Sequence, residues 1–506
     1  MRARRFRLAG TLAGLALALP ATSAAEETTA LTVYSTAQPG AVPADLYRPR
    51  PGSPFQPDYP IPGYAVVRQE RSVTLERGRS VVRFMDVAGR IEPTTVSFVS
   101  LTDREGTRVL DQSFQFDLVG TEKLLERYVD QQITVEQVHG EQIERTSGRL
   151  LSASGGLILA GADGQIRVLN GYSSVLFPTL PGGLITRPTL VWNLDAARGG
   201  EHRVRVSYQT EGITWWADYN LLFAPGKDAN RGTVDVGAWV SLLNRSGASY
   251  REAKLKLIAG DVQRAPEAQP MAKLGRMEAV AAPGFEEKAF FEYHLYTLGR
   301  PATIPDNSTQ QLELFPAVRA APAEKILVYY GLPAGYRGAF PAPMTDREFG
   351  SESNPKVDVY LRFANTKASG LGVPLPSGRV RVNQLDPADQ SLEFIGEDVI
   401  DHTPRDEAVL IRLGSAFDVV GERKQTDFQL DTARKTMEER IEIRLRNHKD
   451  EPVSVIVKEN LYRWANWQIL EASPAFEKQD ARTVHFPVRI DAHGEAVVRY
   501  AVRYTW

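Results

Sequence analysis

Residues 396–427 read GEDVIDHTPRDEAVLIRLGSAFDVVGERKQTD, and the reading of the whole fold turns on how that run is parsed. Side chains alternate between faces along an extended chain, so Val409, Ile411 and Leu413 share one face while Leu410 and Arg412 take the other. Gly414 interrupts the run. Phe417, Val419 and Val420 then begin a second extended segment that reaches Gly421, so the two halves read as a short hairpin, with Glu422, Arg423 and Lys424 just past its end. Upstream, Asp401-His402-Thr403-Pro404 has the chemistry of a turn, because Pro404 fixes its own φ and moves Thr403 away from helical conformations.

The same period of two recurs along the chain. Val204, Val206 and Tyr208 oppose Arg203, Arg205 and Ser207, and Leu255 and Leu257 oppose Lys254 and Lys256. Ile441, Ile443 and Leu445 alternate with charge, and Val453, Val455 and Val457 follow Lys449-Asp450-Glu451, which has the look of a hairpin turn. The pattern predicts a mainly β protein of serial antiparallel β-sandwich and small barrel-like domains with very little helix. One helix is expected over residues 121–131, where Leu124, Leu125, Tyr128 and Val129 have helical spacing and Thr121 is placed to cap the first turn.

Composition shifts divide the chain further. Residues 1–25 carry Arg2, Arg4, Arg5 and Arg7, an apolar run and the small-residue end Ser23-Ala24-Ala25, which is the pattern of a secretory signal peptide. Residues 26–62 read as a Pro-rich linker, with eight prolines between 36 and 62. An N-terminal β-domain is expected over 63–120 and a small barrel-like domain over 121–180. A β-sandwich with a disordered loop at 265–288 then covers 181–350, and a C-terminal β-sandwich covers 351–506.

Several separated segments carry a resemblance. The run around GED, HTP and AFDVVGER resembles the signature of the domain of unknown function 4139 family, as do Phe291-Glu292-Tyr293-His294-Leu295-Tyr296-Thr297-Leu298 and Ile304-Pro305-Asp306-Asn307. So do 374–382, PLPSGRVRV, and Trp215-Trp216-Ala217-Asp218-Tyr219. The resemblance spans roughly residues 180–506 and implies an exported bacterial protein without an assigned reaction. Relatives described as mucoidy inhibitors place a long coiled coil before this domain, and this chain has no such heptad run.

Composition excludes some functions. The chain has no cysteine, which removes disulfides, thiolate catalysis and thiolate metal sites. Loss of residues 1–25 removes four arginines and no acid, taking the formal charge from −2 to −6 and leaving no electrostatic case for nucleic acid. The seven histidines form no HExxH pair or other short metal-ligand spacing, and no GxSxG elbow or phosphate-cradling glycine loop is present. No catalytic residue, metal ligand or cofactor is therefore assigned.

Three sets of side chains remain as candidates. Asp401, His402, Glu422, Arg423 and Lys424 form a candidate interaction surface in the central stretch, with an ion-paired latch to Asp398 or Asp401 as one arrangement. Tyr462, Trp464 and Trp467 are candidates for stacking on sugars, Tyr462 and Trp464 being placed on one strand face. Glu397, Asp398 and Asp401 would supply the carboxylates of a polysaccharide hydrolase. The C-terminal alternation of Val498, Tyr500, Val502, Tyr504 and Trp506 resembles an outer-membrane barrel strand, although charged residues opposite the apolar faces favour an ordinary sandwich strand. The expected function is that of an exported, non-enzymatic cell-envelope protein, periplasmic or outer-membrane associated, whose partner is an envelope protein. The alternative is a protein that binds or hydrolyses surface polysaccharide.

Overall fold

A computed structural model describes residues 27–34, 40, 42–47, 60–140, 142–228, 230–259, 285–290, 293–331, 340–349, 353–386 and 388–506. The expected signal peptide, residues 1–25, and most of the expected 265–288 loop lie outside these residues. The loop's last positions belong to a strand, Phe285–Phe290. The protein is mainly β, with several separate sheets and, among the described residues, no closed barrel. Among the described residues no helix is long and apolar enough to cross a membrane.

The expected short hairpin is a single 24-residue strand, Ala408–Asp431. Gly414, at φ 141°, marks an irregularity in it rather than an end. Val359 pairs with Gly414 and Tyr360 with Arg412, so one residue is extra at that point. A wider bulge follows, because Asp358 pairs with Ser415 while Lys356 pairs with Val420. Phe417 lies within this second bulge. Beyond it, residues 419–431 change partner and pair with Thr436–Asn447.

This strand joins two cores. Val409 and Ile411 pack in the larger one, with Trp215, Tyr219, Val240 and Val380 from the same 13-stranded sheet and Leu31, Val67, Tyr208 and Leu255 from an eight-stranded sheet facing it. Val419 packs in the smaller core, with Ile443, Leu445, Tyr500, Val455 and Phe486. The expected division near residue 350 therefore does not separate the cores, because strand Ser308–Tyr329 also serves both, with Leu312 and Leu314 in the larger and Leu327 and Tyr329 in the smaller. Lys449-Asp450-Glu451 is a crossover and not a hairpin turn, since Val453–Asn460 pairs with Thr483–Ile490 and Ser308–Tyr329 rather than with the strand before it.

The amino-terminal divisions also change. The expected linker contains strand Thr28–Tyr34, seated between Tyr64–Leu75 on one side and Tyr250–Ala259 on the other, with Leu31 and Val33 fully buried. Prolines dominate the composition of 26–62, but they begin only after this strand. Strands of the expected 63–120 domain pair with Gly200–Thr210 and Thr189–Ala196, so that domain merges with the following sandwich into one core.

Residues 121–180 do form a separate unit around Leu125, Tyr128, Ile133, Val135, Leu150 and Leu159. It is an open five-stranded sheet instead of a barrel. Its helix is shorter than expected, Thr121–Arg127, and Gly120 occupies the cap position with no side-chain cap.

Candidate binding surfaces

Alternation continues through the charged run that sequence reading put at a solvated turn. Gly421 and Arg423 point inward while Glu422 and Lys424 face solvent. Arg423 is a buried structural residue, not a surface anchor. Its Nε donates to Glu459 Oε2 at 3.0 Å, and neither side chain is more than 2% exposed. The Tyr500 hydroxyl donates to the same carboxylate oxygen. Burial works against charge on Arg423, but Glu459, Tyr500, Glu439 and Tyr462 together outweigh it and hold the guanidinium's pKa above its ordinary value. The latch to Asp398 or Asp401 is thus replaced by a pair with Glu459. Glu422 instead meets Arg446 at 3.4 Å on the surface.

His402 and Asp401 are both exposed and serve a loop. His402 Nδ1 accepts the Ser377 N–H at 3.0 Å, and Thr403 forms a two-way backbone bridge with Leu375. These contacts hold residues 371–376, which are all buried. The same loop receives the Tyr219 hydroxyl on the Pro376 carbonyl at 2.8 Å and the Tyr296 hydroxyl on the Pro374 carbonyl at 3.3 Å. Segments 215–219, 293–298 and 374–382, far apart in sequence, therefore meet at one place, and their contacts there are architectural.

The three acids do not converge. Glu397 pairs with Arg381 at 3.1 Å, while Asp398, its neighbour on the strand, accepts the Arg412 N–H at 2.7 Å. Successive side chains on a strand leave opposite faces, so the two carboxylates cannot flank one bond. Among the described residues no group of three His, Asp or Glu side chains is placed to hold a metal ion.

The aromatic candidates separate as well. Residues 461–466 are a loop, and Tyr462 is buried, its hydroxyl donating to the Phe349 carbonyl at 3.0 Å. Neighbouring Arg463, fully buried, donates to the carbonyls of Met344, Asp346 and Phe349 and lies 3.0 Å from Glu439. Tyr462 is therefore unavailable for stacking. Trp464 packs partly on the smaller core. Trp467 lines a groove of about 480 Å³, but the Lys478 ammonium stands 4.8 Å above its ring.

A better-formed groove, which sequence reading missed, lies on the outer face of the 13-stranded sheet. Cross-strand pairing brings Gln311 beside Ser241, Ser241 beside Trp216, Asp218 beside Arg379, and Arg381 beside Glu397. The segment Val42–Tyr47 covers one side, anchored by Val42, Leu46 and Ile61 on Leu243. The space left is about 380 Å³. The adjacent pair Trp215-Trp216 gave part of the signal, since one ring had to leave the core: Trp215 is 2% exposed, and half-buried Trp216 meets Tyr47 with ring centroids 5.2 Å apart.

The last surface is apolar. Strand Leu392–Ile400 is the edge of the 13-stranded sheet, and Leu392 and Phe394 are about 60% exposed on it. This strand runs past the long one, with Asp398 at Arg412 and Gly396 against Leu413, so Phe394 and Leu392 continue toward the bulge that holds Phe417. Phe417 is 94% exposed.

No family model matches the chain, and no curated protein matches its sequence.

Proposed function

We propose that the chain is an exported cell-envelope protein that works by binding another envelope protein, with Phe417 and the Leu392–Ile400 edge as the docking surface. The observation that carries this reading is the 94% exposure of a phenylalanine held in a bulge beside an edge strand. Solvating a whole aromatic ring is unfavourable, and burying it against a partner returns on the order of 2 kcal/mol. The long strand lies against this edge at Gly396 and Asp398, which leaves the exposed Leu392 and Phe394 at its start to meet an apolar segment of a partner. The leader-like residues 1–25 and the resemblance to the domain of unknown function 4139 family support export to the envelope.

The test is a photo-crosslinking residue placed at Phe417 in living cells, with Lys254 as an exposed control. A discrete protein adduct at 417 and none at 254 is the expected result. Equal labelling at both positions, or none at either, rejects the docking surface.

A further inference from the structure

We infer that the groove bounded by Trp216, Asp218, Gln311 and Arg381 is a binding site for a neutral sugar residue of a polysaccharide. This site is independent of the Phe417 surface. Its volume, about 380 Å³, falls within the ~300–1,000 Å³ usual for small-molecule sites. Trp216, tilted 51° to Tyr47, supplies the apolar wall that the C–H face of a pyranose needs.

Polar groups converge opposite that wall and are already held in place. Asp218, 7% exposed, accepts from the Ser241 hydroxyl at 2.6 Å, and Gln311 Nε2 donates to that hydroxyl at 3.2 Å. Arg381 bridges the two acids, at 3.5 Å from Asp218 and 3.1 Å from Glu397. A buried carboxylate fixed by two neighbours, Ser241 and Arg381, is a preorganised acceptor; the guanidinium adds donors and the Gln311 amide offers both signs of hydrogen bond. Each guanidinium beside the groove, Arg379 and Arg381, is matched by a carboxylate, Glu397 and Asp218. The balanced charge favours a hydroxylated neutral ligand over a phosphate or a uronate, which would meet Asp218 at close range. The sugar-stacking chemistry expected at Tyr462 thus finds its geometry at Trp216.

The experiment displays neutral and anionic glycans of defined structure on an array, probes them with the whole labelled protein, and follows the best binder by calorimetry. Binding to neutral glycans is expected, weakened about tenfold or more in Trp216→Ala and in Gln311→Ala, and unchanged in Phe417→Ser. Gln311 is exposed on the sheet surface, so its variant tests the site without disturbing a core. No neutral glycan bound, binding confined to anionic glycans, or binding indifferent to both groove variants each overturns the assignment. Loss of the Phe417 crosslink with glycan binding intact rejects the docking surface alone.

Discussion

The guanidinium of Arg423 and the carboxylate of Glu459 lie 3.0 Å apart in the smaller core, with both side chains almost wholly removed from water. Breaking such a pair strands one charge, whereas replacing both partners with apolar groups removes the desolvation cost as well. Glu459→Ala is expected to lose ~3–5 kcal/mol of stability. The double variant Arg423→Met, Glu459→Leu should recover much of that in urea unfolding. A double variant no better than the single would show that the surrounding hydroxyl and carbonyl groups depend on the charges.

Gly421 sits under the ring of Tyr329, and a Cβ there would lie 2.2 Å from the ring edge. Tyr329 is fully buried, so the ring cannot swing aside. Gly421→Ala should cost ~1–3 kcal/mol by overpacking. Combining it with Tyr329→Leu should give less than the sum of the two single losses, a coupling read from a double-mutant cycle. Strict additivity would rule out the clash.

Phe417→Ser should leave stability within ~0.5 kcal/mol of the parent, since the ring contributes almost no burial. Thermal unfolding separates this outcome from a packing role. A fall of several degrees would mean that the ring is covered by the chain itself.

Burial, helped by nearby Lys458, lowers the His485 pKa below its ordinary value. A histidine depressed in the fold contributes stability that is complete above the unfolded pKa of ~6.5 and is lost as pH falls toward the folded value. The wild type should therefore lose stability relative to His485→Gln on going from about pH 7 to pH 5. A difference in melting temperature that stays flat with pH would refute the shift.

Removal of residues 27–35 should leave the eight-stranded sheet open between Tyr64–Leu75 and Tyr250–Ala259. The truncated chain is expected to aggregate, and a synthetic peptide of the same residues added during refolding should restore soluble protein. Solubility of the truncated chain without peptide would contradict the seating of that strand.

Alternation made the strands legible: Val204, Val206 and Tyr208, then Leu255 and Leu257, all face the core as their spacing required. Pairing was not legible, because a strand's period fixes its faces and leaves its neighbours open. Gly414 looked like a terminus since glycine serves turns and bulges alike. Arg423 was hidden by its charge. Its parity with Val419 and Gly421 already placed it on the inner face, but the partner that makes burial possible, Glu459, is distant in sequence. Within the Trp216 groove, Gln311, Ser241, Asp218 and Arg381 come from four strands, and only their register brings them together.

Strand Thr28–Tyr34 carries one more implication. Leu31 lies opposite Leu255, so a strand made early waits until about half of this sequence has been made before its second neighbour exists. Its first neighbour, Tyr64–Leu75, follows soon after it in the chain, and its second comes much later. Until Tyr250–Ala259 arrives, one side of Thr28–Tyr34 has no partner in that sheet, and its arrival joins segments that lie far apart along the chain.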